Sequence, residues 1–164
     1  MITNFKIGAL LLLFFLGSLS TAVAQPYGSV RQKKSIENSL TQAKISKIFK
    51  VINEQLVAWN QGDMQGYMQG YWNSDSLQFI TSKGVTLGYQ QVLSNYVKSY
   101  PTKEKMGNLS FENLTAKFLD PLEQVAQVTG KWKVLHEDKT SEGTFSLIVK
   151  FFGTEPRIII DHTF

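Results

Sequence analysis

The chain has 164 residues, of which 43% are hydrophobic and 18% charged, and its formal net charge is +4 at pH 7. It contains no cysteine, which excludes disulfides, thiol chemistry and lipid attachment at a cysteine. The weak positive charge is not arranged as a basic stripe interleaved with aromatic side chains, so binding to nucleic acid is not expected.

The first residues have the pattern of an export signal. Lys6 precedes an apolar run at 7–16, which is far shorter than the ~20 residues needed to span a bilayer. Residues 22–24 then form an A-x-A cleavage motif. We predict a signal peptide over 1–24, export to the periplasm or the extracellular space, and no membrane contact after cleavage. An uncleaved N-terminal anchor is the alternative.

The chain after the signal divides into a polar segment and one domain. Residues 25–38 are predicted to be a flexible lead-in, because they are polar and lack apolar periodicity. Residues 39–164 have the size of a single domain with one core. A helix is predicted from Ser39, because an apolar stripe with steps of three and four follows it. The residues of this stripe are Ile45, Ile48, Ile52, Leu56 and Trp59.

A sharp corner between two helices is predicted at Gly62 and Asp63. Glycine is the usual residue just after a helix C-terminus, and aspartate accepts hydrogen bonds from the first backbone N–H groups of a helix. Asp63 could instead be a catalytic carboxylate, but the capping role is the preferred interpretation. The second helix is expected to end near Gly70. The aromatic side chains around this corner are Trp59, Tyr67, Tyr71 and Trp72.

The remaining pattern predicts two short strands, a third helix and four longer antiparallel strands. The predicted ranges are strands at 77–80 and 85–87, a helix at 89–99, and strands at 109–119, 125–135, 144–152 and 157–164. A slip in the alternation near Glu112 and Asn113 indicates a bulge. This order predicts an α+β fold, in which a curved, mostly antiparallel sheet packs three helices on its concave face.

Several short motifs occur in a characteristic order. They are Ala58-Trp59-Asn60-x-Gly62-Asp63, Gly70-Tyr71-Trp72, Phe79, Gly88-Tyr89, Tyr96, Tyr100-Pro101, Thr129-Gly130-x-Trp132 and Ile158-Ile159-x-Asp161-His162-Thr163. Together they resemble the nuclear-transport-factor-2-like superfamily, and more narrowly its SnoaL-like secreted bacterial members of unknown function. The resemblance covers 39–164. It implies a cone-shaped, cystatin-like roll with an internal pocket, and a superfamily that includes isomerases, dehydratases, cyclases and binding or dimerisation modules.

Aromatic residues from several predicted elements are candidates for the lining of such a pocket. They are Trp59, Tyr67, Tyr71, Trp72, Phe79, Tyr89, Tyr96, Tyr100 and Trp132. The tyrosine hydroxyls need hydrogen-bond partners, and a concave, mostly apolar site with a few polar groups is typical of small-ligand pockets. This lining favours a flat apolar or aromatic ligand over a phosphorylated one. A core that the same rings simply fill is the alternative.

His162 is the candidate for acid–base chemistry or for anchoring a ligand. Asp161 and His162 are neighbours in a predicted strand, so their side chains should point to opposite faces. If Ile158 and Ile160 face the core, His162 lies on their side and Asp161 on the other. The alternative is a structural histidine near the end of the chain. The resemblance implies a second histidine two residues before His162, where this chain has Ile160.

No metal or cofactor is expected, because two separated histidines without cysteine have no familiar ligand spacing. The sequence favours an exported small-molecule-binding domain that forms a homodimer through the outer sheet face. One alternative is an isomerase, dehydratase or cyclase that uses His162 and a tyrosine hydroxyl such as that of Tyr96. The other is a non-catalytic dimerisation domain with a filled core.

Overall fold

The computed structural model describes residues 27–137 and 139–164, so the predicted signal peptide lies outside the described residues. Within these two ranges, none of the helices is both long enough and apolar enough to cross a membrane. The elements in chain order are α1 (Tyr27–Gln61), α2 (Met64–Met68), β1 (Gln78–Thr81), β2 (Gly84–Leu87), α3 (Tyr89–Ser99), α4 (Lys103–Met106), β3 (Asn108–Phe118), β4 (Val125–Leu135), β5 (Thr140–Phe152) and β6 (Glu155–Thr163).

The strands form one open sheet of six strands in the order β2-β1-β6-β5-β4-β3. Neighbouring strands run antiparallel, except that β1 and β6 run parallel. The predicted α+β class and mostly antiparallel sheet are therefore confirmed. The parallel pair places the last strand inside the sheet, between β1 and β5, where both of its edges are hydrogen-bonded.

One face of the sheet is covered by the helices. Alternate residues along β5 are buried on this face, among them Leu147 and Val149. They join one core cluster with Ile48 and Ile52 of α1. The burial follows from the period of two along a strand and the step of four along a helix. The predicted packing of helices on the concave face is confirmed.

The corner between α1 and α2 has the predicted caps. Gly62 has a φ of +80°, a conformation that glycine adopts without steric cost. The Asp63 carboxylate accepts a hydrogen bond from the backbone N–H of Gly66 at 2.8 Å, which is the bond of a helix cap, and the residue is exposed. Asn60 fixes the corner to β3, because its side chain bonds both the N–H and the C=O of Leu109. Asp63 is therefore a capping residue.

The predicted start of the first helix at Ser39 is wrong. Residues 27–38, expected to be an irregular lead-in, continue α1 toward its N-terminus. Glutamine, lysine, arginine and glutamate propagate a helix well once its packed part exists. The side chains of 30–40 are exposed, so this stretch has no apolar stripe that could have revealed it. The short α4, which Thr102 caps, is also additional to the three predicted helices.

Two bulges interrupt the sheet. The first lies in β3, where the register with β4 shifts between Glu112 and Thr115 and Asn113 has a φ of 55°. This is the bulge that the sequence pattern predicted. The second lies in β6, where Ile158 pairs with Val149 but Ile160 pairs with Ile148. Ile159 is the extra residue, and it reverses the alternation in the rest of the strand.

Candidate functional site

A cavity of about 530 Å³ lies between the inner face of the sheet and the helices. Its volume is within the range of small-molecule sites. The exposed members of its lining lie on the turn between β1 and β2 and along α3, so the cavity opens to solvent there. These mouth residues are Ser82, Lys83, Asn95 and Ser99.

Trp59 is the centre of the aromatic wall. Its ring centroid lies 5.1 Å from that of Tyr67, 6.2 Å from that of Tyr96 and 4.9 Å from that of Tyr100. All three pairs meet edge to face, which is a favourable geometry for aromatic rings. The indole Nε1 donates a hydrogen bond to the carbonyl oxygen of Met106 at 3.2 Å. This bond fixes the ring from the side of α4.

Most of the predicted aromatic residues do meet at this cavity. Those that line it are Trp59, Tyr67, Tyr71, Phe79, Tyr96, Tyr100 and Trp132. Trp72 does not, because it follows Tyr71 in an extended segment and points the other way, onto Phe152 at 5.4 Å. Tyr89 is buried at the start of α3 but does not reach the cavity. Their predicted place in the lining is wrong.

The predicted position of His162 in the pocket is also wrong. The bulge at Ile159 places His162 on the outer face, where it is exposed and its ring lies 4.8 Å from that of Phe164. The same bulge turns Asp161 inward. Asp161 pairs directly with Leu147 of the inner face, and its side chain lines the cavity. Regular alternation from Ile158 would have given the opposite arrangement.

Asp161 is the acceptor of a buried hydroxyl network. The Tyr71 hydroxyl donates to Oδ2 at 2.7 Å, and Thr163 Oγ1 donates to Oδ1 at 2.6 Å. The Tyr67 hydroxyl lies 3.4 Å from that of Tyr71. The ring of Tyr96 packs on that of Tyr67, with the two ring centroids 5.4 Å apart. Only 4% of Asp161 is exposed. Each carboxylate oxygen therefore accepts one hydrogen bond, and these bonds favour the charged form.

Burial controls the titration of this network. It raises the pKa of Asp161, and the hydrogen bonds from Thr163 and Tyr71 oppose that shift. Burial and the nearby Asp161 raise the pKa of Tyr67 to about 12, and burial raises the pKa of Tyr71 and of Tyr96 well above the usual value. The hydroxyls therefore remain protonated at neutral pH and can act as hydrogen-bond donors.

Two further polar groups at the cavity were not predicted. Gln55 is buried, and its Nε2 donates to the carbonyl oxygen of Tyr67 at 3.0 Å. Gln55 lies three residues after Ile52 and therefore on the same side of α1, and this spacing is the sequence signal that could have identified it. The Nε1 of Trp132 is buried without a hydrogen-bond partner among the described residues. The indole packs closely on Gly143, where an added Cβ would lie 2.8 Å from Nε1.

Comparison with known proteins identifies the family. Neither the protein-family models nor the curated proteins give a match. Among solved structures, the chain is 33% identical to an NTF2-like protein of unknown function from Shewanella oneidensis, over 73% of this chain and 97% of that one, with a TM-score of 0.68. The chain belongs to the NTF2-like family.

More distant solved structures show similarity in the fold alone. An NTF2-like superfamily protein from Salmonella enterica is 20% identical over 76% of this chain and 92% of that one, with a TM-score of 0.55. A domain of unknown function with a cystatin-like fold, from Nostoc punctiforme, is 20% identical over 74% of this chain and 76% of that one, with a TM-score of 0.62. The predicted superfamily and its cystatin-like fold are confirmed.

The stability of this NTF2-like domain should depend on the ionisation of Asp161. Burial raises the pKa of Asp161 in the folded state above the unfolded value of about 3.9. The contribution of Asp161 to the free energy of unfolding is therefore fully present below that value and is lost as pH rises through the folded-state pKa. Asp161→Asn removes this loss. We expect the variant to gain stability relative to the parent as pH rises from about 3 and then to reach a plateau.

Urea denaturation of both proteins at a series of pH values measures this difference. Asp75→Asn is the matched control, because Asp75 is exposed and does not line the cavity. A difference that moves in the opposite direction would show that the donors Tyr71 and Thr163 outweigh the effect of burial.

Proposed function

We propose that this NTF2-like domain binds a small apolar or aromatic molecule in its cavity. The observation that carries the proposal is an open volume of about 530 Å³ with aromatic walls, a buried network of hydroxyls around Asp161 and polar residues at the mouth. Apolar walls with a few convergent polar groups bind and orient a ligand at the same time. The ligand-binding residues proposed are Trp59, Tyr67, Tyr71, Phe79, Tyr96, Tyr100 and Trp132.

A filled core does not agree with this geometry. Close-packed protein interiors leave few voids larger than a water molecule, whereas this volume would hold many. The cavity also reaches solvent beside exposed residues of α3 such as Asn95 and Ser99, so a ligand has a route of entry. This open volume supports the binding function over a purely structural dimerisation domain with a filled core.

The proposal predicts that closing the mouth abolishes binding. Nile red, a flat neutral dye whose fluorescence rises in apolar surroundings, is the probe. We expect Asn95→Trp to weaken dye binding at least tenfold, which corresponds to about 1.4 kcal/mol, because Asn95 lines the cavity. Fluorescence titration of the parent and of the variant measures the two affinities.

Gln91→Trp is the matched control for this experiment. Gln91 is exposed, lies one helical turn from Asn95 and hydrogen-bonds to it, but does not line the cavity. Its replacement should leave the dye affinity unchanged. Equal losses in the two variants, or no dye binding by the folded parent, would contradict the proposal. Mass spectrometry of small molecules that co-purify with the protein would identify a natural ligand.

A second candidate function is proton transfer within the same cavity. It is favoured by one observation, the buried Asp161 carboxyl whose pKa burial raises and which accepts a hydrogen bond from the Tyr71 hydroxyl. A carboxylate tuned in this way can act as a general base, and a protonated tyrosine can stabilise a developing oxyanion. Under this function Asp161→Asn would abolish turnover but retain ligand affinity, since an amide cannot accept the proton.

Export and homodimerisation remain parts of the proposal. The proposed dimer interface is the outer sheet face, where Gln127 and Thr129 are partly buried and Lys131 and Lys133 are exposed. A partner that covers this face would leave the mouth of the cavity free, since the mouth lies beside α3 and the turn between β1 and β2. Export depends on the predicted signal peptide over 1–24.

A further inference from the structure

The two charged residues that line the cavity differ in exposure. Among the described residues that line it, Asp161 is the one acidic residue and Lys83 the one basic residue. Lys83 is exposed at the mouth, where water and salt screen its charge. Within 27–137 and 139–164, Asp161 takes part in none of the ion pairs. A buried carboxylate is stabilised by hydrogen bonds, by protonation or by a nearby cation, and a ligand is one source of such a cation.

The charged and titratable groups that face Asp161 do not supply this cation. Tyr71 and Tyr67 approach from the helix side as neutral hydroxyls, and Thr163 approaches from the same strand. His162 is the basic neighbour, and its charge lowers the pKa of Asp161, but it is exposed on the opposite face of the sheet and forms no ion pair with Asp161. The part of the cavity around Asp161 is therefore acidic and rich in hydroxyl oxygens that can accept hydrogen bonds.

The walls of the cavity also suit a positive charge. Aromatic faces attract cations through the ring quadrupole, most strongly when the site excludes water. Here Tyr96 joins three other lining rings, with centroids 6.2 Å away at Trp59, 5.4 Å away at Tyr67 and 5.5 Å away at Phe79. These four aromatic side chains and the Asp161 carboxylate line the same cavity.

We infer that the ligand of this cavity is an apolar or aromatic amine whose ammonium group pairs with Asp161. The inference rests on the proposed function and specifies its ligand class. In the complex the ammonium donates hydrogen bonds to the carboxylate and to the neighbouring tyrosine oxygens, and the apolar part of the amine contacts the rings of Trp59 and Phe79. The Tyr71 and Thr163 hydroxyls hold the carboxylate in position.

Three probes with the same phenyl ring and different end groups test this inference. They are phenethylamine, which is a cation near pH 7 as lysine is, phenethyl alcohol, which is neutral, and hydrocinnamate, which is an anion. Dissociation constants come from NMR chemical-shift titrations of the purified protein. We expect the amine to bind at least tenfold more tightly than the alcohol, and the anion to bind most weakly.

Asp161→Asn provides the second arm of the test. The amide keeps the size of the side chain but removes its charge, so amine affinity should fall at least tenfold while alcohol affinity changes less than about threefold. Asp75→Asn, an exposed carboxylate outside the cavity, should change neither. The comparison of probes on the parent protein needs no variant, so the inference stays testable if Asp161→Asn does not fold.

The outcomes separate this inference from the proposed function. Equal affinities for amine and alcohol, or an amine affinity that Asp161→Asn leaves unchanged, would overturn the ammonium pairing and leave the small-molecule cavity standing. Failure of all three probes to bind the folded protein, together with failure of Nile red, would overturn both.

Discussion

Trp59→Ala is expected to lower the free energy of unfolding by about 3–5 kcal/mol. Only 4% of the side chain is exposed, and its ring contacts Tyr67 and Tyr100 in edge-to-face pairs. Truncation would enlarge the cavity and leave the carbonyl oxygen of Met106 without its donor. Urea denaturation, with the m-value compared between the two proteins, measures the change.

Trp72→Ala is the matched control for this prediction. Trp72 is the same residue type, but it is only partly buried and lies outside the cavity, stacked on Phe152. The aromatic pair contributes about 0.5–1.5 kcal/mol beyond the area that it buries, and Trp72 buries less area than Trp59, so the loss should be clearly smaller. A loss as large as that of Trp59→Ala would mean that the two indoles do not differ in burial.

Ile158→Ala should lower the free energy of unfolding by about 2–5 kcal/mol. Ile158 is 1% exposed and lines the cavity. Its backbone N–H donates to the carbonyl oxygen of Gly70 at 2.9 Å, and its carbonyl oxygen accepts from Trp72 at 2.9 Å. These backbone bonds survive the substitution, so the measured loss reports side-chain packing.

Ile160→Ala tests the bulge directly. Ile160 pairs with Ile148 on the outer face and is only partly buried, so its truncation should cost about 1 kcal/mol. A regular strand would place Ile158 and Ile160 on the same face, with similar losses. Equal losses in denaturant unfolding would therefore argue against the extra residue at position 159.

The sequence predicted local structure best where a residue has one strong conformational preference. Gly62 and Asp63 predicted the helix corner through their capping roles, and both act as expected. The range of α3 and that of β4 agree with the structure, because each has a regular period and a clear breaker beside it. The slip near Asn113 correctly indicated the bulge in β3.

The sequence did not predict features that depend on context beyond the local pattern. Residues 27–38 are helical through continuation of a packed helix, and no apolar stripe marks them. The parallel pairing of β1 with β6 joins segments about 80 residues apart, which no local rule specifies. The bulge at Ile159 left no signal either, because residues 158–160 are all isoleucine and look the same on either face.

The candidate site was predicted in its aromatic part and missed in its polar part. Aromatic residues are large enough that an inward position is the default, and Trp59, Tyr67 and Tyr96 follow that rule. Whether Asp161 or His162 faces the cavity depended on which alternate residues of β6 point inward. One inserted residue exchanged His162 for Asp161 at the cavity and so changed the chemistry assigned to it.

The extra isoleucine in β6 has a consequence for reading other members of the family. In a relative whose final strand lacks this insertion, a sequence alignment would pair residues whose side chains lie on opposite faces of the sheet. A homologue could then carry an aspartate in the column of Asp161 and yet direct it toward solvent. Transfer of binding chemistry between family members therefore requires strand register to be compared before residue identity.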